Sequence, residues 1–333
     1  KAVHADIDLT KNQGALSVPI YNASTYGFED ADEGSAIHNY EKEGYFYGRL
    51  GNPTQDALEK AVALLENAEA ALAFSSGMAA ISSAVLSMTQ SGDHIIALKS
   101  MYSTTTGLFE YLSENFGVDI SYIDATDAEN YSKAIKPETK LLWVETPSNP
   151  LLNISDISAI ADMSEQNGLT TIVDNTFATP FNQNPLNLGA DLVVHSATKY
   201  FGGHSDLSAG LLAGNKDLIE KSRKQMVKFL GGSIAPQVAW LILRGIKTLP
   251  IRMKQHNSNT YAIANMLQSR QEVKQVFYPG IETHKNHAIA KHQMSGFGGM
   301  VSFDLGEFDN AKRFLNELDL CTIATSLGGV ETI

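Results

Sequence analysis

A chain of 333 residues with 43% hydrophobic and 19% charged side chains can bury a substantial core and has room for more than one structural unit. Its formal charge of −12 argues against a nucleic-acid partner or an anionic membrane surface, both of which attract basic faces. The single cysteine, Cys321, excludes an intramolecular disulfide and fits a reducing, cytoplasmic setting. No apolar run approaches the roughly 18 residues that span a bilayer, and residues 1–10 lack the apolar core of a signal peptide.

Residues 1–52 are rich in Tyr, Gly, Asn and charge and show little periodicity, which predicts an irregular arm that packs on something else, such as another subunit. Residues 54–66 form a clear amphipathic helix pattern opened by Pro53-Thr54. Short apolar runs follow at 70–74, 94–98, 119–123, 140–145, 170–174, 191–196 and 208–213, with helical patterns at 78–88, 105–115 and 154–167. That alternation predicts an α/β unit whose mostly parallel sheet is covered by helices on both faces. A long helical pattern at 236–267 is broken at Thr248-Leu-Pro250, and strands at 273–278 and 299–305 with a helix at 310–318 predict a smaller second domain. The expected division is an arm at 1–52, a large domain at 53–248 and a small domain at 249–333, and the apolar finish just after a Gly turn is expected of a truncated end.

Two of the apolar runs deliver chemistry at their carboxyl ends, where open parallel sheets place their sites. One ends in Asp174 and the other, through His195-Ser-Ala-Thr, in Lys199. A lysine amine held there can form a Schiff base with a carbonyl, and an aspartate one strand away can keep a pyridinium nitrogen protonated, which points to pyridoxal phosphate (PLP). Ser75-Ser-Gly77-Met78 joins a strand to a helix through small residues, either a phosphate cradle at the helix N-terminus or an ordinary tight turn. Ser196 and Thr198 alternate before Lys199 and can offer hydroxyls to the same anion, or simply cap the strand end. Arg49, beside Tyr47, suits a phosphate but equally a solvated surface. Tyr102 can stack on a flat ring or pack in a core. Asn149, in the turn Glu145-Thr-Pro-Ser-Asn-Pro150, can reach a polar ring substituent. His284, His287 and His292 cluster without Cys or carboxylate at ligand spacing, so no metal site is expected. No Walker A loop, G-x-G-x-x-G after a strand or G-x-S-x-G elbow is present in the sequence.

These motifs resemble those of the PLP enzymes of cysteine and methionine metabolism, the trans-sulfuration family. The resemblance rests on Tyr47-Gly-Arg49, Gly51-Asn-Pro-Thr54, Ser75-Ser-Gly-Met78, Glu145-Thr-Pro-Ser-Asn-Pro150, Val173-Asp-Asn-Thr176 and His195-Ser-Ala-Thr-Lys199. It continues in Arg244-Gly-Ile-Lys-Thr-Leu249, Gly296-Phe-Gly-Gly-Met300 and Ser326-Leu-Gly-Gly329. It implies the aspartate-aminotransferase fold (PLP fold type I) and a homotetramer of two tight dimers with active sites shared across the dimer. By position, Lys199 resembles the Schiff-base lysine, Asp174 the partner of the ring nitrogen, and Tyr102 the stacking tyrosine. Gly77, Met78, Ser196 and Thr198 resemble phosphate binders, and Tyr47 and Arg49 phosphate ligands lent by the neighbouring subunit. Asn149 resembles a residue near the ring oxygen and substrate carboxylate, and Ser326 a substrate-carboxylate contact. The family continues beyond the position of Ile333 and there supplies its main carboxylate-binding arginine.

The implied substrate is a small sulfur amino acid. Members that handle cystathionine commonly carry Glu where Thr325 stands, and several an arginine where Gly107 stands. Loss of both charges favours an uncharged tail and hence methionine γ-lyase, although the cysteine typical of those enzymes is replaced by Thr104. Cystathionine γ-lyase, cystathionine γ-synthase, O-acetylhomoserine sulfhydrylase and a PLP-binding protein without turnover are the alternatives.

Overall fold

Seven strands carry the architecture of the computed structural model, which describes residues 1–4, 10 and 12–333. They are β1 (Ala70–Phe74), β2 (His94–Leu98), β3 (Asp119–Ile123), β4 (Thr139–Glu145), β5 (Thr170–Asp174), β6 (Leu192–Ser196) and β7 (Gly210–Gly214), in the spatial order β1-β7-β6-β5-β4-β2-β3. Strands β2 to β6 are mutually parallel, and β7 runs antiparallel to both of its neighbours. Parallel strands need helical crossovers, which cover both faces and explain why these segments read as continuous apolar runs.

Side-chain alternation divides the core. Leu72 and Phe74 of β1 and Leu212 of β7 face the main cluster with Ile95, Ile96, Leu141, Trp143 and Val173. Ala71, Ala73, Leu211 and Ala213 face a second cluster with Leu58 and Val62, from the helix Pro53–Glu66, and with Ile242 and Ile246, from the helix Pro236–Ile246. The start signals explain the helix ends. Asn52 accepts hydrogen bonds from the amides of Thr54 and Gln55 at 3.0 Å with Pro53 in the first turn, and Asn67 ends that helix in left-handed backbone at φ +58°.

Several elements differ from expectation. The irregular arm contains a helix, Ala31–His38, whose Asp30 accepts from the amide of Glu33 while Glu33 accepts from the amide of Glu29. This arrangement is close to a capping box. The helix expected at 154–167 spans Ile157–Gln166, because Asp156 caps it by accepting from the amide of Ala159. The break at 248–250 separates Pro236–Ile246 from Leu249–Gln268 as the sequence predicts. An unforeseen helical run covers Lys216–Ser222, a wide π turn at Arg223–Val227, and Lys228–Leu230. Strands β8 (Gln275–Phe277) and β9 (Ser302–Asp304) form a separate antiparallel pair, followed by the helix Phe308–Asn316. Among the described residues no helix is long and apolar enough to cross a membrane.

A buried polar node ties the helix Pro53–Glu66 to the carboxyl end of the sheet. Glu66 has no exposed surface; it meets His195 Nε2 at 2.5 Å and accepts from the side-chain amides of Asn175 and Asn184 at 3.3 Å. Removing one partner of such a pair leaves the others buried and unsatisfied. Glu66→Ala is therefore expected to lower unfolding free energy by about 3–5 kcal/mol in urea titrations, with Glu66→Gln less severe. A loss below about 1 kcal/mol for Glu66→Ala would contradict this role.

Candidate active site

The sheet places the first two acidic groups. Glu145 ends β4 and Asp174 ends β5, and they are direct register partners. Asp174 is 7% exposed and accepts from the amide of Thr176 at 3.0 Å. The Thr176 hydroxyl donates to Asp174 and accepts from the amide of Ser196 at 2.9 Å, which links the ends of β5 and β6. Burial raises the Asp174 pKa, while Thr176 and the nearby His195 oppose the rise. Glu145 is 6% exposed, and its pKa is pushed up to about 8, first by burial and then by the Asp174 charge. Its two oxygens accept from different loops, Oε2 from the amide of Tyr102 at 2.9 Å and Oε1 from the amide of Asn149 at 2.7 Å.

Lys199 lies in a turn, since β6 ends three residues earlier at Ser196. The Lys199 amide donates to the Ser196 carbonyl at 3.1 Å, and the Gly203 amide to the Lys199 carbonyl at 2.8 Å. Burial moves the lysine amine below its ordinary pKa, and Nζ donates to Ser326 Oγ at 2.8 Å. Ser326 takes φ +104°, a conformation that costs a non-glycine residue energy. Two residues on, Gly328 is in left-handed backbone and lies so close that a Cβ there would come within 2.7 Å of the Tyr200 amide nitrogen. From the other side, Arg252 donates to the carbonyls of Tyr200 at 2.7 Å and Gly245 at 2.8 Å, with burial lowering its pKa to about 10. The Lys199 turn is thus held by two chain segments far from it in sequence.

The Ser75-Ser-Gly77 turn opens the helix Gly77–Met88, with Ser76 Oγ accepting from the amide of Ala79 at 3.1 Å. Its back is held by the amide of Ser75 donating to the Gly232 carbonyl at 2.7 Å. A Cβ on Gly77 would stand 2.9 Å from that of Ser196. Gly77 thus lets the N-terminus of this helix, where amides lack intrahelical partners, lie directly against the Ser196 hydroxyl. The alternation expected to align Ser196 with Thr198 stops at the end of β6. Thr198 Oγ instead donates to the Ala209 carbonyl at 3.3 Å and accepts from its amide at 3.1 Å.

Tyr102 begins the helix Ser103–Phe116 and keeps its side chain 41% exposed. Asn149 lies between two cis peptide bonds, Thr146–Pro147 and Asn149–Pro150. Thr325 is exposed beside Ser326. Tyr47 and Arg49 sit together on the arm, with the guanidinium carbon 5.6 Å from the tyrosine ring centre and Arg49 donating to the Lys228 carbonyl. Neither has a described contact with Lys199 within its own chain. Sequence reasoning misses the roles of Glu145 and Thr176, because both depend on which strands lie side by side, although each residue stands in a recognisable motif.

An anion cradle, a buried aspartate, a half-buried amine and an exposed flat ring suit a phosphorylated, cationic aromatic aldehyde. Burial raises both carboxyl groups, with the Asp174 charge adding to the rise at Glu145, so a ring cation beside Asp174 would be favoured there. The residues present fit PLP on these grounds.

The comparison with known proteins agrees. The family described as Cys/Met metabolism PLP-dependent enzyme matches residues 1–333. An L-methionine gamma-lyase of Fusobacterium nucleatum subsp. polymorphum is 44% identical over 335 residues, covering 100% of this chain and 85% of that protein. A cystathionine gamma-lyase of Bacillus subtilis (strain 168) is 43% identical over 331 residues, covering 99% and 85%. The crystal structure of metB from Corynebacterium glutamicum superposes with a TM-score of 0.94 at 41% identity, covering 99% of this chain and 84% of that one. The chain belongs to the Cys/Met metabolism PLP-dependent enzyme family, and its mixed α/β architecture is that of PLP fold type I.

Raised carboxylate pKa values in the folded chain have a stability consequence. Because Glu145 and Asp174 hold protons more tightly when folded, their contribution is complete below the ordinary values of 4.5 and 3.8 and is lost as pH rises toward about 8. The PLP-free protein is expected to lose at least about 1 kcal/mol of stability from this pair between pH 5 and pH 9, measured as the difference between wild type and Glu145→Gln in urea unfolding. Equal pH slopes in the two proteins would contradict the burial argument.

Proposed function

We propose that the chain is a PLP-dependent γ-lyase acting on methionine and releasing methanethiol, ammonia and 2-oxobutyrate. The family membership supports carbon–sulfur chemistry on a sulfur amino acid; the choice of methionine rests on the side chains beside the site. The observation that carries it is Gly107. It lies exposed on the helix Ser103–Phe116 that follows Tyr102, and a Cβ built there meets nothing within 4 Å. Space for a longer side chain is present, yet the position provides neither charge nor hydrogen-bonding side chain. Thr325, beside Ser326, likewise offers no charge for a distal amino group. A second polar end on the substrate would therefore lack these two anchors.

PLP, when bound, supplies an electron sink that makes the amino acid's Cα–H acidic. The chain's residues would then divide the remaining work. Lys199 would hold the cofactor covalently until substrate arrives. Its amine, its pKa lowered by burial and its Nζ hydrogen-bonded to Ser326, would accept the proton at Cα and, once that proton has been handed on and the amine is neutral again, would take one from Cβ. Asp174 would face the ring nitrogen, its charged form held by Thr176. Gly77, Met78 and Ser196 would hold the phosphate, and Thr198 would join them only by turning its hydroxyl away from Ala209. Tyr102 would cover the ring and protonate the departing sulfur, and Asn149 and Ser326 would orient the ring oxygen and the substrate carboxylate.

Tyr47 and Arg49 would complete the phosphate site of a neighbouring subunit, which accounts for an arm whose aromatic side chains stay exposed. Tyr47 is 42% and Tyr40 38% exposed. This reading carries a homotetramer with shared sites, in the cytoplasm, and divides the chain into the arm at 1–52, the cofactor-binding domain at 53–248 and the small domain at 249–333.

The test is release of 2-oxo acid from methionine, homocysteine, cysteine and cystathionine in parallel by the purified, PLP-saturated protein. Methionine is expected to give the highest kcat/KM. Preference for cystathionine would replace this reading with cystathionine γ-lyase or γ-synthase, and PLP binding with no release from any of them would leave a binding protein. Borohydride should fix PLP to Lys199, and Lys199→Ala should lose at least about 10³-fold in turnover and all borohydride fixation. Gly107→Arg is expected to raise the cystathionine-to-methionine ratio of kcat/KM about tenfold, the effect of roughly 1.4 kcal/mol of new ion pairing. An unchanged ratio would remove Gly107 from the argument.

A further inference from the structure

The Glu145 carboxylate is buried beside another carboxylate and touches no group that the proposed reaction consumes. We propose that it is the positioning residue that sets the Tyr102 ring and Asn149 together, so that one carboxylate fixes both the stacking face and the edge contact of the cofactor site. This inference rests on the PLP reading above.

The geometry is specific. Tyr102 follows β2 and Asn149 follows β4, which are adjacent parallel strands. Glu145 Oε2 takes the Tyr102 amide at 2.9 Å and Oε1 takes the Asn149 amide at 2.7 Å. Tyr102 is the N-cap of its helix and makes no side-chain cap, and its side chain is 41% exposed. The hydrogen bond its backbone N–H donates to Glu145 is thus a direct tether from the exposed ring's own backbone to the buried sheet end. Beyond Asn149, Ser302 donates to the Pro150 carbonyl at 2.6 Å, but that bond does not fix the Asn149 amide.

The residue type also matters. Two amides arriving at two different oxygens require an acceptor at both, which a carboxylate supplies and a carboxamide does not. Glutamine has the same shape but turns an NH2 group toward one of the amides, leaving that amide unpaired. A carboxylate here is costly, because Asp174 is its register neighbour and both are buried. Its two charge-assisted hydrogen bonds offset that cost only while both loops are in place. Tyr102 and Asn149 therefore share one support, beside Asp174. A ring cation at Asp174 would relieve the repulsion on Glu145 and tighten its hold on both loops.

The experiment begins with wild-type protein, where borohydride fixation at Lys199 tests the PLP reading by itself. Glu145→Gln, with far-UV circular dichroism as the check on folding, should still be fixed at Lys199. Its PLP dissociation constant should nevertheless rise about tenfold, and the visible circular dichroism band of the bound cofactor, which reports ring orientation, should change at least about twofold. Combined with Tyr102→Ala, the two losses should be less than additive, because both act through the same ring. A dissociation constant and visible band each within about twofold of wild type, or full additivity, would overturn the proposal.

Hydrogen exchange in the wild-type protein gives a measurement independent of whether the variant folds. The Tyr102 and Asn149 amides should be protected to within about tenfold of each other and, in the PLP-free protein, should lose protection together as pH falls through the titration of Glu145 at about 8. Unequal protection, or loss in one amide alone, would overturn the proposal even if PLP binds as expected. Failure of wild-type fixation at Lys199 would instead count against the cofactor reading, leaving the exchange result to judge the Glu145 tether.

Discussion

Two buried carboxylates at the ends of neighbouring parallel strands govern this structure. Glu145 and Asp174 occupy adjacent register positions, and burial drives both pKa values upward. Isolated charges are expensive in such a place, so the surrounding chain is organised to hold them. Thr176 gives Asp174 an amide and a hydroxyl, and the same hydroxyl fastens the end of β6 through the Ser196 amide. Glu145 receives the amides of two loops. Behind Asp174, His195 is itself held by Glu66 at the end of the helix Pro53–Glu66. Fold and site are coupled because the hydrogen bonds that make the charges tolerable also set the loops around the site.

Lys199 shows the opposite strategy. Its turn is fixed by close backbone approach and not by charge pairing: Gly203 against Arg252, Gly328 against the Lys199 backbone, and Ser326 in a strained conformation that points its hydroxyl at Nζ. Arg252 donates to carbonyl and hydroxyl oxygens in this region, at Tyr200, Gly245 and Thr248. Among the described residues no carboxylate acts on the amine, so burial is the cause moving the Lys199 pKa, and burial favours the neutral, nucleophilic form.

The central sheet is legible in the sequence because a parallel strand covered on both faces must be apolar along its length, as in Ile95 and Ile96 or Leu141 to Val144. Asp174 falls at a strand end for the same reason. Lys199 reads one turn too close to its strand, because backbone alternation cannot reveal that Ser196 closes β6 and that Thr198 turns to Ala209. The helix Ala31–His38 escapes a periodicity argument although Asp30 and Glu33 spell its start, since eight residues give little periodicity. Glu145 stands in view as a strand-end acid. Its double acceptor role requires knowing that the loops after β2 and β4 converge, and that is information about strand order rather than local sequence.

The same distinction bears on what the protein acts on. A methionine gamma-lyase at 44% identity and a cystathionine gamma-lyase at 43% match this chain over nearly its whole length, so overall similarity does not separate the two reactions. That follows from how the site is built. In the proposed reading the sheet ends, the Gly77 turn and the Lys199 turn would serve the cofactor common to the family, and each is closely packed against other segments. Gly107 and Thr325 are exposed, and no side chain crowds a Cβ built at Gly107. Positions of this kind can change without disturbing the buried charges. A difference of one ion pair there would, in the proposed reading, alter substrate preference while leaving the fold intact. On that reading, specificity would thus be borne by the least constrained residues, Gly107 and Thr325, and the cofactor by the most constrained ones.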